Sequence, residues 1–269
     1  MLKTLFVFDI ETVPDLISAR NLLGSGTPEA ELGEALTQYH LDITQGKNGF
    51  IRQLFHQVAA ISFLEAEIHH DQEGGEYYVL KDIRSGGKAE STEKELIQGV
   101  FQYLSTLKAR LVSFNGRSFD LPVLKYRAMR YGVQAKWLHQ SGDKWNGYNS
   151  RYSHDWHCDL LDALSDYGVS AKVRMSEVCA LLGLPGKIDV DGSQVSELFN
   201  QNKIQEIRDY CELDVINTYL IYLRHMHHIG KLSGNSYDTC IEDLIAFLQS
   251  KAEEKPNFTL FLDEWLSKY

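Results

Sequence analysis

Residues 4–12 read Thr-Leu-Phe-Val-Phe-Asp-Ile-Glu-Thr. The apolar run Leu5-Phe6-Val7-Phe8 predicts a buried strand over 4–10. Asp9 and Glu11 come at its end, and side chains alternate along a strand, so both carboxylates point to one face. In open α/β sheets, ligands gather at the carboxyl ends of the strands. Two carboxylates at that place are costly to desolvate unless a cation compensates them. The plainer reading is a pair of solvated charges, since Asp-x-Glu is common by chance.

Outward from this strand the pattern alternates. Val13 to about Phe50 is polar and helix-prone, a helical insertion after the first strand. Residues 58–66 and 77–83 predict hairpin strands joined across Asp71–Gly75. Ser91-Thr-Glu-Lys-Glu resembles a capped helix start, continued by Leu96, Ile97, Val100, Phe101 and Leu104 at helical spacing. Leu111–Phe114 predicts another short strand, a helix follows Asp120, and Lys136–His154 reads as loop. Further helices are expected at 159–166, 174–182 and 194–199, and a long one from Lys203 to His228. The last 40 residues predict a helical extension, Asp238–Gln249 and Leu260–Leu266. Strands alternating with helices make the class α/β.

The chain has 269 residues, 43% hydrophobic and 24% charged, enough for a sizeable core and against disorder. Its net charge of −10 excludes a uniformly basic nucleic-acid binder, though not a local basic surface or an acidic metal site. No apolar run of about 18 residues is present, so no membrane partner is expected. Asp9 cuts the N-terminal apolar run short, against a signal peptide or anchor. The cysteines at 158, 179, 211 and 240 form no Cys-x-x-Cys pair, which speaks against a thiolate zinc or redox motif and for reduced thiols. A cytoplasmic location is expected.

Two further stretches bear carboxylates. Asn115-Gly-Arg-Ser-Phe119-Asp120-Leu-Pro122 follows the strand at 111–114, where a turn with Asp120 as helix cap is the plainer reading. Tyr210-Cys-Glu-Leu-Asp214 lies on the long helix, where positions i and i+4 share a face. The apolar stripe runs Ile204, Ile207, Cys211, Val215, Thr218 and leaves Asp214 at its margin, where a buried salt bridge competes with a functional role.

Together the three stretches resemble the three motifs of the DEDD superfamily of 3′–5′ exonucleases, in its tyrosine branch. In particular they resemble the predicted 3′–5′ exonucleases related to the proofreading domain of family B DNA polymerases. Phe8-Asp9-Ile10-Glu11-Thr12, Asn115-x-x-x-Phe119-Asp120 and Tyr210-x-x-x-Asp214 match in order and separation. Arg151-Tyr152 before His157-Cys158-Asp159-Leu160, and Leu182-Gly-Leu-Pro-Gly-Lys187 before Asp191-Gly-Ser193, extend the likeness over roughly residues 4–233.

The resemblance implies a ribonuclease-H-like fold, a mixed five-stranded sheet flanked by helices. It implies an exonuclease domain over 1–233 with the helical insertion at 15–50, followed by an extension at 234–269 packed on the same domain. It also implies that Asp9, Glu11, Asp120 and Asp214 hold two divalent cations, Mg²⁺ or Mn²⁺, which prefer carboxylate oxygens. Tyr210 is then expected to orient the attacking water. The implied reaction removes nucleotides from single-stranded 3′ ends. DNA is favoured over RNA, though the motifs do not distinguish the sugars, and a non-catalytic binding module is the rival.

From Lys108 to Arg151 nine Lys or Arg stand against two Asp, a net of +7 in an acidic chain. Seven aromatics lie between Tyr126 and Trp156. Basic groups meet phosphates and aromatic faces stack on bases, so this segment is expected to bind the strand. Arg151 and Trp145 are its leading candidates, with Asn115 and Phe119 beside motif two and Lys187 on the loop before motif three. His157 and Asp159 are a candidate ligand pair, against a structural histidine and a helix cap. The tail's Phe258, Leu260, Phe261, Leu262, Trp265 and Leu266 offer an interface for a protein partner or a cover for the core.

Overall fold

The computed structural model describes residues 2–72, 74–186 and 194–267. Its centre is a five-stranded mixed sheet of β1 (Thr4–Pro14), β2 (His56–His70), β3 (Glu76–Ser85), β4 (Arg110–Ser113) and β5 (His157–Asp159). The order is β3-β2-β1-β4-β5. β2 runs antiparallel to β1 and β3, while β4 is parallel to β1 and β5 to β4. This is the ribonuclease-H-like arrangement that the resemblance implies.

After β1 come α1 (Leu16–Leu23) and α2 (Leu32–Ile43). Between β3 and β4 lies α3 (Glu93–Leu107), opened by the expected capping box of Thr92 and Glu95. Between β4 and β5 stand α4 (Asp120–Arg130) and α5 (Lys136–Gln140). Then follow α6 (Leu160–Leu164), α7 (Met175–Leu182), α8 (Val195–Asn200), α9 (Ile204–His228), α10 (Gly234–Ser250) and α11 (Pro256–Leu266).

Alternation along β1 divides the core. Phe6, Phe8 and Ile10 pack with Ile97, Phe101 and Leu124 of α3 and α4 on one face. Leu5 and Val7 pack with Val215 and Tyr219 of α9 on the other. The sheet is therefore covered on both sides, and the carboxylates of β1 fall on the α9 side.

Four expectations change. β1 continues to Pro14, so Asp9 and Glu11 lie inside a strand rather than at its end. Its antiparallel partner β2 carries it on, while the parallel pairing to β4 covers only Leu5–Val7. β5 was hidden because three residues carry too little pattern to read as a strand. The stretch 136–154 includes the short helix α5, which seats Trp137 and Leu138 in the core.

Lastly, α9 is buried on all sides from Tyr210 to Leu223, so Asp214 sits inside a covered helix rather than at the edge of a stripe. α7 and the tail explain this. α10 packs on β3 and α9, and α11 on α9 and α10. Phe258, Phe261, Leu262 and Trp265 are buried in the core, while Leu260 and Leu266 stay exposed. Most of the tail's apolar side chains are thus spent on this chain's own core, where a buried Phe contributes roughly 2–3 kcal/mol. No helix among the described residues is long and apolar enough to cross a membrane.

Candidate active site

Among the described residues, β4 pairs with β1 only over Leu5–Val7, so Asp9 and Glu11 lie past the end of that pairing. The ladder to β2 shifts register between Glu11 and Thr12. Such bulges re-aim a side chain, here next to the second carboxylate.

Motif two forms the turn that follows β4. Asn115 takes a left-handed backbone, φ 69°, and its carbonyl accepts from the N–H groups of Ser118 and Phe119 at 3.0 Å each. Gly116 is required by close approach, since a Cβ there would meet Ser113 Oγ at 2.4 Å. The turn delivers Asp120 as the first residue of α4, buried at 3% exposure. Its Oδ1 accepts from the Ile10 N–H at 3.1 Å, so motif two is bonded to the backbone between Asp9 and Glu11.

From the opposite side α9 brings Tyr210, Cys211 and Asp214. Tyr210 hydrogen-bonds the Asp214 carboxylate, the i,i+4 geometry expected of this helix. Burial, followed by the charges of Asp214 and Glu11, holds its phenol far above its ordinary range, so it is neutral.

The carboxylates repel one another. Burial raises Asp9 well above the ordinary carboxylate range, and Asp120, Glu11 and Asp214 each push it further. Asp120 is raised to about 7, chiefly by burial and then by the Asp159 charge, against the pull of backbone N–H bonds. Asp9 and Asp120 also share a side-chain hydrogen bond. Four carboxylates from three separate stretches thus meet at a cost that a cation would relieve.

One contributor escaped the reading of the sequence, and the helix cap expected of Asp159 proves to hold more than its own helix. Cys211 Sγ lies 3.5 Å from the Asp9 carbonyl, and it can approach a common point with Asp9 and Glu11. Inside an apolar stripe its thiol gave no sign of this, and burial keeps it protonated, far above its ordinary value. Asp159 proves to be a clamp. Its Oδ1 accepts from Asn115 N at 2.9 Å and Leu161 N at 3.0 Å, and its Oδ2 from Arg117 N at 2.8 Å. It caps α6 and fixes the motif-two turn in one stroke. His157 is buried, with Nε2 on Ser113 Oγ at 2.8 Å, and it does not join the carboxylates.

Phe119 lies edge-on to His56 at 4.9 Å and next to Phe50 at 5.9 Å. His56 in turn meets Thr12 Oγ1 at 2.8 Å, and Gln53 donates to the Ser118 carbonyl. The stretch before β2 therefore flanks the turn that carries Asp120.

In the basic segment most arginines are paired within the fold. Arg110 is forked on Glu76, and buried Arg127 pairs with Asp15 and Glu93. Arg130 bonds Asp15 at 2.8 Å, and Arg117 donates to the carbonyls of Tyr148 and His157. Arg151 forks onto Asp162 at 2.7 and 3.2 Å and reaches the Tyr167 carbonyl. Most partners come from outside 108–151, where a count along the segment does not see them. Trp137 and Tyr148 are core side chains, whereas Tyr126, Trp145 and Tyr152 remain exposed, Trp145 at 74%. Lys187 lies outside the described residues.

A family model described as "Predicted 3'-5' exonuclease related to the exonuclease domain of PolB" matches residues 48–265. The chain belongs to this family. That places it among the nucleases, hydrolases of phosphodiester bonds. The match begins after β1, so Asp9 and Glu11 enter the site on geometry. No curated protein matches the chain.

Among solved structures, one similar chain is the family B DNA polymerase of the hyperthermophilic archaeon Pyrobaculum calidifontis. It is 14% identical with a TM-score of 0.47, over 94% of this chain and 29% of the polymerase. Product-bound exonuclease I is 11% identical with a TM-score of 0.31, over 86% of this chain and 49% of that one. This exonuclease therefore spans under a third of the polymerase and about half of exonuclease I.

Proposed function

We propose that the chain is a divalent-metal-dependent 3′–5′ exonuclease that shortens single-stranded DNA from its 3′ end and releases 5′-mononucleotides. The observation that carries this reading is the convergence of Asp9, Glu11, Asp120 and Asp214, whose mutual repulsion calls for cations. The donor set is all oxygen apart from one buried thiol, which suits Mg²⁺ or Mn²⁺ and not a soft ion. Those four carboxylates would hold two ions. When bound, they supply positive charge at the scissile phosphate and lower the pKa of water.

The chain's own groups supply position. The Ile10 N–H sets the Asp120 carboxylate, and Asp159 holds the turn that presents it. Tyr210, a neutral phenol, donates to Asp214 and keeps a lone pair to orient the incoming water. Hydrolysis breaks the bond between phosphorus and the 3′ oxygen of the penultimate nucleotide. The hydroxyl of water goes to phosphorus and its proton to that oxygen. The exposed faces of Trp145 and Tyr152 offer stacking surfaces for bases.

The test is digestion of DNA and RNA strands labelled at either end, with Mg²⁺, Mn²⁺ or EDTA. The expected result is mononucleotide release from the 3′ end of DNA that stops in EDTA and in Asp9→Ala. Digestion that persists in EDTA overturns the metal assignment, and preference for RNA overturns the substrate.

A further inference from the structure

At the far end of α9 a second cluster is built from different chemistry. His154 precedes β5, Cys158 lies in β5, and His225 stands in the last turn of α9. Their ligand atoms all lie within 4.8 Å of one another. His225 is eleven residues beyond Asp214 on the same helix, about 16 Å along its axis at 1.5 Å per residue. The cluster is therefore separate from the carboxylates.

We propose that His154, Cys158 and His225 form a binding site for a transition-metal ion, Zn²⁺ foremost. One thiolate and two neutral imidazoles are a borderline-soft donor set, which selects Zn²⁺ over the Mg²⁺ or Mn²⁺ that carboxylates prefer. The ring nitrogens are arranged for this. His154 Nδ1 faces Cys158 Sγ at 3.8 Å, and its Nε2 bonds the Tyr167 hydroxyl. A metal-bound histidine holds its other nitrogen on such an outer partner. His225 Nε2 is buried and has no hydrogen-bond partner. A buried polar atom left unpaired is costly, and a metal bond would satisfy it.

Backbone geometry supports the arrangement. Asp166 and Tyr167 are consecutive left-handed residues, φ 48° and 58°, an unfavourable conformation for both. It is this turn that carries the hydroxyl facing His154. Beside the cluster lies a cavity of about 400 Å³, lined by His154, Asp155, Cys158, Tyr222, Met226 and Lys231. It leaves room for a water as fourth ligand, as in open zinc sites.

Such an ion would tie β5 to α9. β5 ends in Asp159, the clamp of the motif-two turn, and α9 carries Tyr210 and Asp214. Zn²⁺ would thus brace the two elements that position the carboxylates, without taking part in hydrolysis.

Titration of the metal-free protein with Co²⁺ tests this independently of any nuclease activity. A single equivalent should produce the near-ultraviolet thiolate-to-cobalt band and the intense visible bands of a four-coordinate ion. Zn²⁺ should bleach them, and excess Mg²⁺ should not. Cys158→Ser should abolish the thiolate band, and Cys211→Ser should keep it. His154→Gln and His225→Gln, at partly exposed positions that keep the fold if Cys158→Ser does not, should each weaken Co²⁺ binding about 100-fold or more. A wild-type protein without the band, or a band lost in Cys211→Ser and kept in both histidine variants, overturns the proposal.

Discussion

Asp120→Asn isolates the electrostatic cost of assembling the carboxylates. Asp120 is 3% exposed, and burial together with the Asp159 charge lifts its pKa from 3.8 to about 7. Between those values the folded chain keeps a proton that the unfolded chain has released. A raised carboxyl pKa contributes stability that is full below the unfolded value and lost as pH rises through the folded one. From about pH 5 to pH 8 the loss spans about two pK units, or about 3 kcal/mol at 1.36 kcal/mol per unit.

Asparagine does not ionise and keeps an oxygen for the Ile10 N–H, so it escapes this loss. In EDTA the stability of Asp120→Asn relative to wild type should therefore grow by about 3 kcal/mol over that range. The gap in Tm should widen by roughly 6–12 °C for a chain of this size. Relief of Asp9 acts in the same direction. His56 and His157 are held below 6.5 by burial and stabilise as pH rises, but they do so in both proteins and cancel in the difference. Scanning calorimetry of the pair at several pH values measures it. A difference that stays flat with pH would refute the crowding of carboxylates on which the metal assignment rests.

Tyr210→Phe removes the hydroxyl that meets Asp214 and should lower kcat about 100-fold while strand affinity holds. Single-turnover rates and binding isotherms separate the two, and equal losses in both would make the residue structural. In an Asp9→Ala background, Arg151→Ala should leave the salt dependence of strand binding unchanged, because the guanidinium is already forked on Asp162. A slope flattened by about 0.7 in a log–log salt titration would show instead that Arg151 meets a phosphate. Trp145→Ala should weaken binding by about 1–3 kcal/mol with the slope intact.

The fold was legible where local pattern and global packing agree. The apolar run at 5–8, the capping signal at Thr92 and the long apolar helix from 204 each act within one element, and all three stand where the pattern puts them. What escaped depends on partners distant in sequence. β5 has three residues and exists because β4 offers it an edge. β1 runs past its apolar stretch because β2 continues beside it. The burial of α9 on every side follows from α10 and α11 closing over it. Within the site, the carboxylate set was legible through the resemblance of three motifs; spacing added only that a strand puts Asp9 and Glu11 on one face and a helix Tyr210 and Asp214. Cys211 and the Asp159 clamp were not legible, since their partners lie 202 and 44 residues away.

Charge carries the same lesson further. A segment of net +7 in a chain of net −10 invites the reading of a phosphate-binding surface. The fold answers most of those cations with Asp15, Glu76, Glu93 and Asp162, which lie outside the segment. Arg127 between Asp15 and Glu93 shows what the pairing achieves: it joins the exit of β1 to the start of α3 through α4, the helix that opens with Asp120. Breaking one side would leave a buried charge without its counterion, which typically costs about 3–5 kcal/mol. Buried arginines placed in this way are part of the frame that aims the acidic site. What the frame leaves outside are the exposed rings of Tyr126, Trp145 and Tyr152 and the solvent-facing Lys136 and Lys144 between them. On the proposed function, a surface of that kind would hold bases by stacking more than phosphates by charge, as a nuclease that accepts any base requires.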